Sequence, residues 1–352
     1  MKQASVNVEP VPPDRIPLER ASGESHTPYP TPFHQPAFLE VLERHSGAEL
    51  HLLVGRDEFG PVGLFPVFER TVGPVTAAFS PPPGMGMYQL GPMLFEDDDF
   101  DPALDLVRWE ARNRRFVDTC IEWISEAVDP SYLHVRTHPE FTDPRPFRWN
   151  DFELHSRFTY SVDLDRPADE LLMAFSSDAR RNVRECEDAC SVEVDNVEAI
   201  EWILARVEER YAAQGKSFSV DPAFVADLYE SLPDGQVRPY VCEVDGQRRG
   251  GMVAFEFADT IYRWQGGVKP DTELAVNDFL DWTIMQDARE RGVERYDLVG
   301  ANTARLCEYK AKFDPSLVHY CTAVGGTPLM RTLAGLVGNS SGLLGEKLKP
   351  LA

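Results

Sequence analysis

Apolar residues recur at two different periods along this 352-residue chain, and the alternation between them outlines its elements. Steps of three and four mark helices, because side chains so spaced share one face, whereas strict alternation marks half-buried strands. In the first half the pattern predicts a short helix near 36–46, then strands at 50–55 and 62–70 joined by a turn through 57–61. A helix near 112–128 and a strand at 132–136 follow. Residues 1–25 are polar, contain prolines and lack a period, which reads as a loose leader. The run SPPPGMGMYQLGP at 80–92 reads as a Pro/Gly loop, and residues 137–156, rich in Pro, His and Arg, as a connection.

The second half is more sharply punctuated. A strand over 158–164 leads to Asp165 and Pro167, a cap followed by a helix-starting proline. Leu172, Phe175, Ala179, Val183, Cys186 and Cys190 then predict one long helix. After a short strand over 192–195 comes a helix with Val197, Ile200, Leu204, Val207 and Tyr211 as its stripe, stopped at Gly215. Asp221-Pro222 opens a third helix. Three strands are expected at about 237–244, 249–258 and 260–267, the first two joined at Asp245-Gly246. A helix over 274–291, a strand over 294–299, the loop Gly300-Ala301-Asn302-Thr303, a short helix over 304–313 and a strand over 317–324 complete the order. Segments 57–68 and 244–255 each set a turn before a glycine and an alternating strand, a pattern that duplication leaves and that hairpins also reach independently.

Composition changes the picture through charge. The chain carries 58 acidic against 35 basic residues, a net charge of −23, and only seven of the basic residues are lysine. Acid spread over the whole length fits a halophilic-type surface, hydrated by carboxylates and screened by salt, better than a single cationic partner. No apolar run approaches the ~20 residues that cross a bilayer, and the N-terminus has no apolar signal segment, so the expected address is cytoplasmic. The six cysteines form no CxxC pair and the eight histidines no zinc spacing; buried reduced thiols are expected, with no metal and no tightly bound cofactor.

Two segments carry a family resemblance. FSSDARRNVRECEDACSVEV at 175–194 resembles the arginine-rich helix that opens the second unit of FemA/FemX-like proteins, and YDLVGANTARLCEYKAKFDPSL at 296–317 resembles their strand, Gly loop and FK–x–x–F helix. Here the pair is Tyr309-Lys310 with Phe313, a conservative departure at the aromatic. The resemblance implies an α/β (α+β) fold of tandem GNAT-like domains, each with a mixed, largely antiparallel central sheet flanked by helices. The expected division is a leader over 1–25, a degenerate first half over 26–156, a second domain over 157–325 and a C-terminal tail over 326–352. It further implies an N-acyltransferase or aminoacyltransferase acting on an amine of an envelope precursor or a small metabolite.

Lys310 is the expected catalytic residue. At about 100° per residue it lies within about 60° of Leu306 and Phe313 on the inward face, while Lys312 points away. A lysine so placed either snorkels out or meets an anion, and acyl transfer to an amine generates an oxyanion for it to meet. Arg180, Arg181 and Arg184 fall within about a 100° arc and suit a phosphate, although Arg184 can instead pair with Asp188. Gly300 and Asn302 lie on a loop after a strand, a usual place for ligand contacts. Tyr262, Trp264 and Gln265 can line the same cleft, aromatic packing being the plainer role for at least one. Tyr309 joins them through the motif, and Asp297 and Glu308 are both available as proton acceptors.

The donor stays open between acyl-CoA and aminoacyl-tRNA. The amide cradle Gln/Arg-x-x-Gly-x-Gly/Ala, which holds the pyrophosphate of coenzyme A, has no clean copy: Arg263-Trp264-Gln265-Gly266-Gly267-Val268 fails at its last position. For tRNA the acidic surface is unfavourable, with Arg112, Arg114 and Arg115 as a local basic patch. DNA is not an expected partner. Two alternatives stand beside the enzyme: a non-catalytic GNAT-fold protein that binds a nucleotide- or lipid-linked ligand, and weak peripheral membrane contact through the apolar clusters of residues 328–351.

Overall fold

The computed structural model of the chain describes residues 5–16, 29–95, 105–194, 196–267 and 271–332. The chain divides into two compact units, one of residues 1–156 and 320–352, the other of residues 157–319. In chain order the first unit contributes strand β1 (Asn7–Pro10), helix α1 (Pro36–Ser46), strands β2 (Glu49–Asp57), β3 (Gly60–Val72), β4 (Val75–Ser80) and β5 (Met93–Leu94), helix α2 (Leu106–Ala127), strand β6 (Tyr132–Arg136) and helix α3 (Arg145–Trp149). Strand β7 (Glu153–Asp163) carries the chain into the second unit, which adds α4 (Ala168–Ala174), α5 (Ser177–Glu187), β8 (Cys190–Val194), α6 (Val197–Ala212), α7 (Pro222–Ser231), β9 (Val237–Val244), β10 (Gln247–Phe257), β11 (Thr260–Gly266), α8 (Val276–Glu290), β12 (Arg295–Asp297) and α9 (Ala304–Lys310). Strand β13 (Ser316–Gly326) returns to the first unit.

Both units show the same run of pairings. In the first, β2, β3 and β4 are successive antiparallel neighbours and β4 pairs in parallel with β6. In the second, β9, β10 and β11 are antiparallel neighbours and β11 pairs in parallel with β12. A parallel pair needs a crossover, which α2 and α8 supply within residues 81–131 and 267–294. The two recurring sequence segments are the hairpins between the first and second strands of each run. Each unit has its own core: Phe65, Phe116, Phe147 and Val135 in the first, and Val183, Met252, Leu280, Ile284 and Tyr296 in the second. Phe116 of α2 lies so close to the sheet that a Cβ on Gly55 or Gly63 would stand 2.5 and 2.8 Å from its ring. Both positions require glycine for that reason.

Several boundaries differ from the sequence reading. The expected leader contains β1, which pairs with β2 through Val8 and Gly55; Val6 and Ile16 are buried. Alternation over four residues is too short to distinguish such an edge strand from a coil. The long helix expected through 172–190 is two helices: Phe175 is extended, and the Ser176 hydroxyl accepts from the Ala179 amide to start α5. Cys190 therefore begins β8 instead of ending a helix. Strand β4, VTAAFS, was not expected, because its apolar residues show no clean alternation. Residues 320–325, expected in the second domain, belong to the first unit, where Thr322–Gly326 of β13 pairs with β6. A short helix covers 328–332, and residues 333–352 of the expected tail lie outside the described residues.

The Pro/Gly loop over 80–92 is largely buried: Met85, Met87, Tyr88, Gln89 and Leu90 are all inside. Two histidines hold its end. His34 Nε2 faces the Gly91 carbonyl at 3.2 Å and His138 Nε2 the Pro92 carbonyl at 3.1 Å, so both nitrogens carry the proton. His34 Nδ1 then accepts from the Thr31 hydroxyl at 2.8 Å. Burial drives the His34 pKa down to about 4, and burial together with its histidine neighbour drives His138 well below the ordinary value. The unfolded chain takes up these protons near pH 6.5 and the folded chain only in stronger acid, so stability is lost as pH falls through that window. For His34 the loss between pH 6.5 and 4.5 is about 2 kcal/mol. Urea titrations at the two pH values are expected to show a drop smaller by about that amount in His34→Gln; an equal drop would assign the acid sensitivity elsewhere.

Candidate active site

The second unit contains a place where two parallel strands part. Strands β11 and β12 pair at Thr260–Arg295, Ile261–Tyr296 and Tyr262–Asp297, where β12 ends while β11 runs on to Gly266. A bulge at Trp264 shifts the other edge of β11, since Val253 pairs with Gln265 and Ala254 with Arg263. After Asp297 the chain turns through Val299 and Gly300, both at positive φ (54° and 85°). Carboxyl ends of parallel strands that diverge in this way are where α/β sheets usually expose groups to ligands.

A buried carboxylate organises the side chains at this opening. Asp281 of α8 has no exposed side-chain surface. Its Oδ1 accepts from Arg263 Nε at 2.7 Å and from the Tyr296 hydroxyl at 2.6 Å, and its Oδ2 accepts from the Tyr309 hydroxyl at 2.9 Å. Desolvation and the neighbouring carboxylate push both phenols well above their ordinary pKa. One turn earlier, Asp278 receives Lys312 Nζ at 2.5 and 2.6 Å and the Asn182 amide at 2.7 Å. Lys312 also stands 4.1 Å from the centre of the Tyr309 ring. It was expected to point away; residues 311–313 tighten into a 3-10 turn, which swings it onto Asp278.

Lys310 is 5% exposed. Its ammonium donates to the Val299 carbonyl at 2.8 Å and the Gly300 carbonyl at 2.7 Å, leaving one N–H without a partner among the described residues. Burial, and then the nearby Arg263 guanidinium, lower its pKa to about 8 against the opposing pull of Asp297 and Asp281. The loop it holds is tied from the other side. Asp297 accepts from Thr159 Oγ1 at 2.6 Å and from the Val299 amide at 2.7 Å, while Thr159 Oγ1 accepts from the Gly300 amide at 3.0 Å. Asn302 accepts from the Phe158 amide at 3.0 Å and donates to its carbonyl at 2.8 Å, extending β7 with a side chain in place of a strand.

The expected site residues thus separate. Lys310, Tyr309 and Gly300 come together beside Asp281, with Asn302 bracing their loop and Glu308 exposed. Tyr262 and Trp264 are buried, Trp264 packing on Phe255 with ring centres 4.8 Å apart; Gln265 is half-buried next to it. The three arginines of α5 do not converge. Arg180 turns back to the carbonyls of Met173 (2.8 Å) and Phe175, closing the end of α4. Arg181 is exposed and 3.7 Å from Glu185, and Arg184 is exposed. The residues that sequence reasoning missed are Arg263, Asp278, Asp281 and Lys312. The available signal was acid on the apolar stripe of α8, where Asp281 stands with Ile284 and Ala288 at helical spacing.

Two shallow concavities elsewhere on this unit, of about 380 and 460 Å³, are lined by residues such as Leu204, Phe218 and Pro222, and by Arg166, Arg289 and Glu294. Neither lining includes Lys310 or Asp281, and neither holds a comparable set of buried charges. Among the described residues, Glu49, His51 and Glu69 of the first unit bring ligand atoms within 4.8 Å of one another, with His51 and Glu69 already paired at 2.9 Å.

Residues 174–311 match the model of the acetyltransferase (GNAT) domain. That segment, an acyltransferase domain of the GNAT class by this match, contains Arg263, Asp281, Tyr309 and Lys310. No curated protein sequence matches it. Among solved structures, the FemX crystal structure aligns over 85% of this chain and 93% of its own, with a TM-score of 0.62 and 13% identity. A tandem GNAT protein from the clavulanic acid biosynthesis pathway aligns over 92% and 99%, at 0.54 and 11%. The C-terminal domain of a protein named as a lysylphosphatidylglycerol synthetase from Agrobacterium fabrum aligns over 85% and 90%, at 0.51 and 16%. At these identities the likeness concerns the fold, which is of the FemX and tandem GNAT type.

Asp281→Asn would leave a guanidinium with 12% exposed side-chain surface without its counter-charge and turn one of the two acceptor oxygens that serve it and the tyrosine hydroxyls into a donor. Asp281→Asn is expected to lose about 3 kcal/mol or more in urea unfolding. A loss under 1 kcal/mol would show that the pair does not hold this end of the unit together.

Proposed function

We propose that the second unit transfers an acyl or aminoacyl group to an amine, with Lys310 stabilising the negative charge that develops on the transferred carbonyl or on the departing group. The observation that carries this reading is the buried ammonium at the opening between β11 and β12, with two N–H groups engaged and the third available. A cation held in a dry site interacts with a developing oxyanion far more strongly than one in water. Asp297 already accepts two short hydrogen bonds, so an amine that arrives neutral and loses its proton to solvent suits the site better than one that relies on Asp297 as base.

The acceptor class is an amine of an envelope precursor or a small metabolite, and the donor an acyl-CoA or an aminoacyl-tRNA. Two relatives in fold support these donor classes. One is a tandem GNAT protein from the clavulanic acid biosynthesis pathway, described without AcCoA, and the other is named a lysylphosphatidylglycerol synthetase. The reaction would take place in the cytoplasm, on a protein whose acidic surface is adapted to salt; no helix among the described residues is long and apolar enough to cross a membrane.

A second reading has its own observation. Lys310 braces the Val299–Gly300 turn, as it would in a protein that binds a ligand without turnover. The two are separated by incubating the full chain with acetyl-CoA or aminoacyl-tRNA and a panel of amines, with product mass as readout. Lys310→Met is expected to lower turnover by about 100-fold or more. In the wild type turnover should fall as pH rises through about 8, because the ammonium is then lost. Lys310→Arg, which cannot titrate in this range, should remove that limb. Undiminished turnover in Lys310→Met would take Lys310 out of the mechanism.

A further inference from the structure

Strands β2 and β3 of the first unit turn one face toward α2, and their register fixes what stands on it. Gly55 lies opposite Gly63, Leu53 opposite Phe65, His51 opposite Val67 and Glu49 opposite Glu69. Alternation puts all these positions on one side of the sheet. The glycines lie under Phe116, and Leu53, Phe65 and Val67 belong to the core. Two turns along α2 from Phe116, Trp123 packs on His51 with ring centres 5.5 Å apart. Between the two ligand-bearing positions of β2, the Leu50 amide is anchored to Glu43 of α1 at 2.9 Å. An otherwise apolar row therefore ends at its rim in an imidazole and two carboxylates.

Two carboxylates directly opposite each other on antiparallel strands repel, so the pair calls for a cation. Among the described residues neither Glu49 nor Glu69 pairs with a lysine or arginine. Arg70, next to Glu69 in sequence, faces the other side of the sheet. Farther along β2 the fold does supply such a partner, where Arg56 stands 3.6 Å from Glu9 of β1. His51 meets Glu69 at 2.9 Å, which leaves Glu49 unanswered. One ligand atom from each of the three lies within 4.8 Å of the other two. Metal–ligand bonds of about 2.0–2.2 Å set tetrahedral ligands about 3.4 Å apart, a contraction that the exposed Glu49 makes by rotating its side chain. The side chains of His51 and Glu69 keep 16% and 26% of their surface exposed, so an ion reaches them from solvent.

We propose that Glu49, His51 and Glu69 bind a divalent transition-metal ion of the zinc type, with water completing its coordination. An imidazole nitrogen beside two carboxylates favours zinc over magnesium and calcium, which prefer oxygen ligands throughout. Two negative ligands balance the charge of the ion, and the contact with Trp123 holds the imidazole in one orientation. Bound there, the ion clasps the start of β2 to β3 beneath the end of α2. No zinc spacing marks the sequence, because the third ligand comes from the neighbouring strand, 18 residues beyond His51. The site belongs to the first unit and is independent of the transfer reading, which concerns the second.

The full chain, first stripped with a chelator, is titrated with zinc chloride by calorimetry and with cobalt chloride as a spectroscopic probe. Saturable binding of one ion per chain is expected. The cobalt form should lack the thiolate-to-metal absorption that ligation by any of the six cysteines would produce. Glu49→Gln, at an exposed position, should weaken binding by about tenfold or more, and His51→Gln by a similar factor. Zinc should raise the Tm of the wild type, and raise that of Glu49→Gln less. Without the ion, Glu49→Gln should be as stable as the wild type or more so, because one of two opposed charges is gone. A loss of stability in that ion-free variant would mean that Glu49 has a partner within the fold, and would overturn the site. So would the absence of saturable zinc binding, a thiolate band in the cobalt form, or an affinity unchanged in both variants. Displacement of zinc by an equal concentration of magnesium or calcium would reduce the site to screening of an acidic surface and overturn it as well.

Discussion

The ion pair between Asp281 and Arg263 is the constraint from which the geometry around Lys310 follows. Taking either charge out of water alone is costly, so the two fold together or not at all. Around that pair two tyrosine hydroxyls find their acceptor, and through Tyr309 the pair orients the seven-residue helix whose last residue is Lys310. Such a helix has little stability of its own. Its position is set by what its side chains reach: Tyr309 to Asp281, Lys310 to the Val299–Gly300 turn, and Lys312 just beyond it to Asp278. Helix α8, which carries both acids, is the framework; α9 hangs from it.

The loop facing Lys310 is restrained with equal thoroughness. Asp297, Thr159 and Asn302 take up its backbone groups one after another, so its carbonyls are presented in a fixed direction. Two carbonyls drawn toward one ammonium also keep that ammonium in a setting where burial alone would favour the neutral amine.

Much of the second unit could be read from the chain because periodicity and punctuation agree there. Helix starts at Asp221-Pro222 and the turn at Asp245-Gly246 occur where the structure places them. What escaped was information that periodicity does not encode. A single extended residue at Phe175 split a continuous stripe into two helices, and four residues of edge strand looked like leader. For the site, the tyrosine–lysine pair on α9 was visible as a motif. Its partner Asp281 was not, since one acid among apolar positions looks like noise until the strand that supplies its arginine is seen opposite. The α5 arginines show the converse: a compact arc on a helical wheel does not reveal that Arg180 is spent on the end of its own helix–helix corner.

Tyr296 and Tyr309 both surrender their hydroxyl hydrogens to one carboxylate, and their ionisation lies far above neutrality. Neither phenol is therefore suited to relay a proton during turnover, despite standing where an acid or base would be sought first. Their part is architectural: through one carboxylate they tie β12 and α9 to α8.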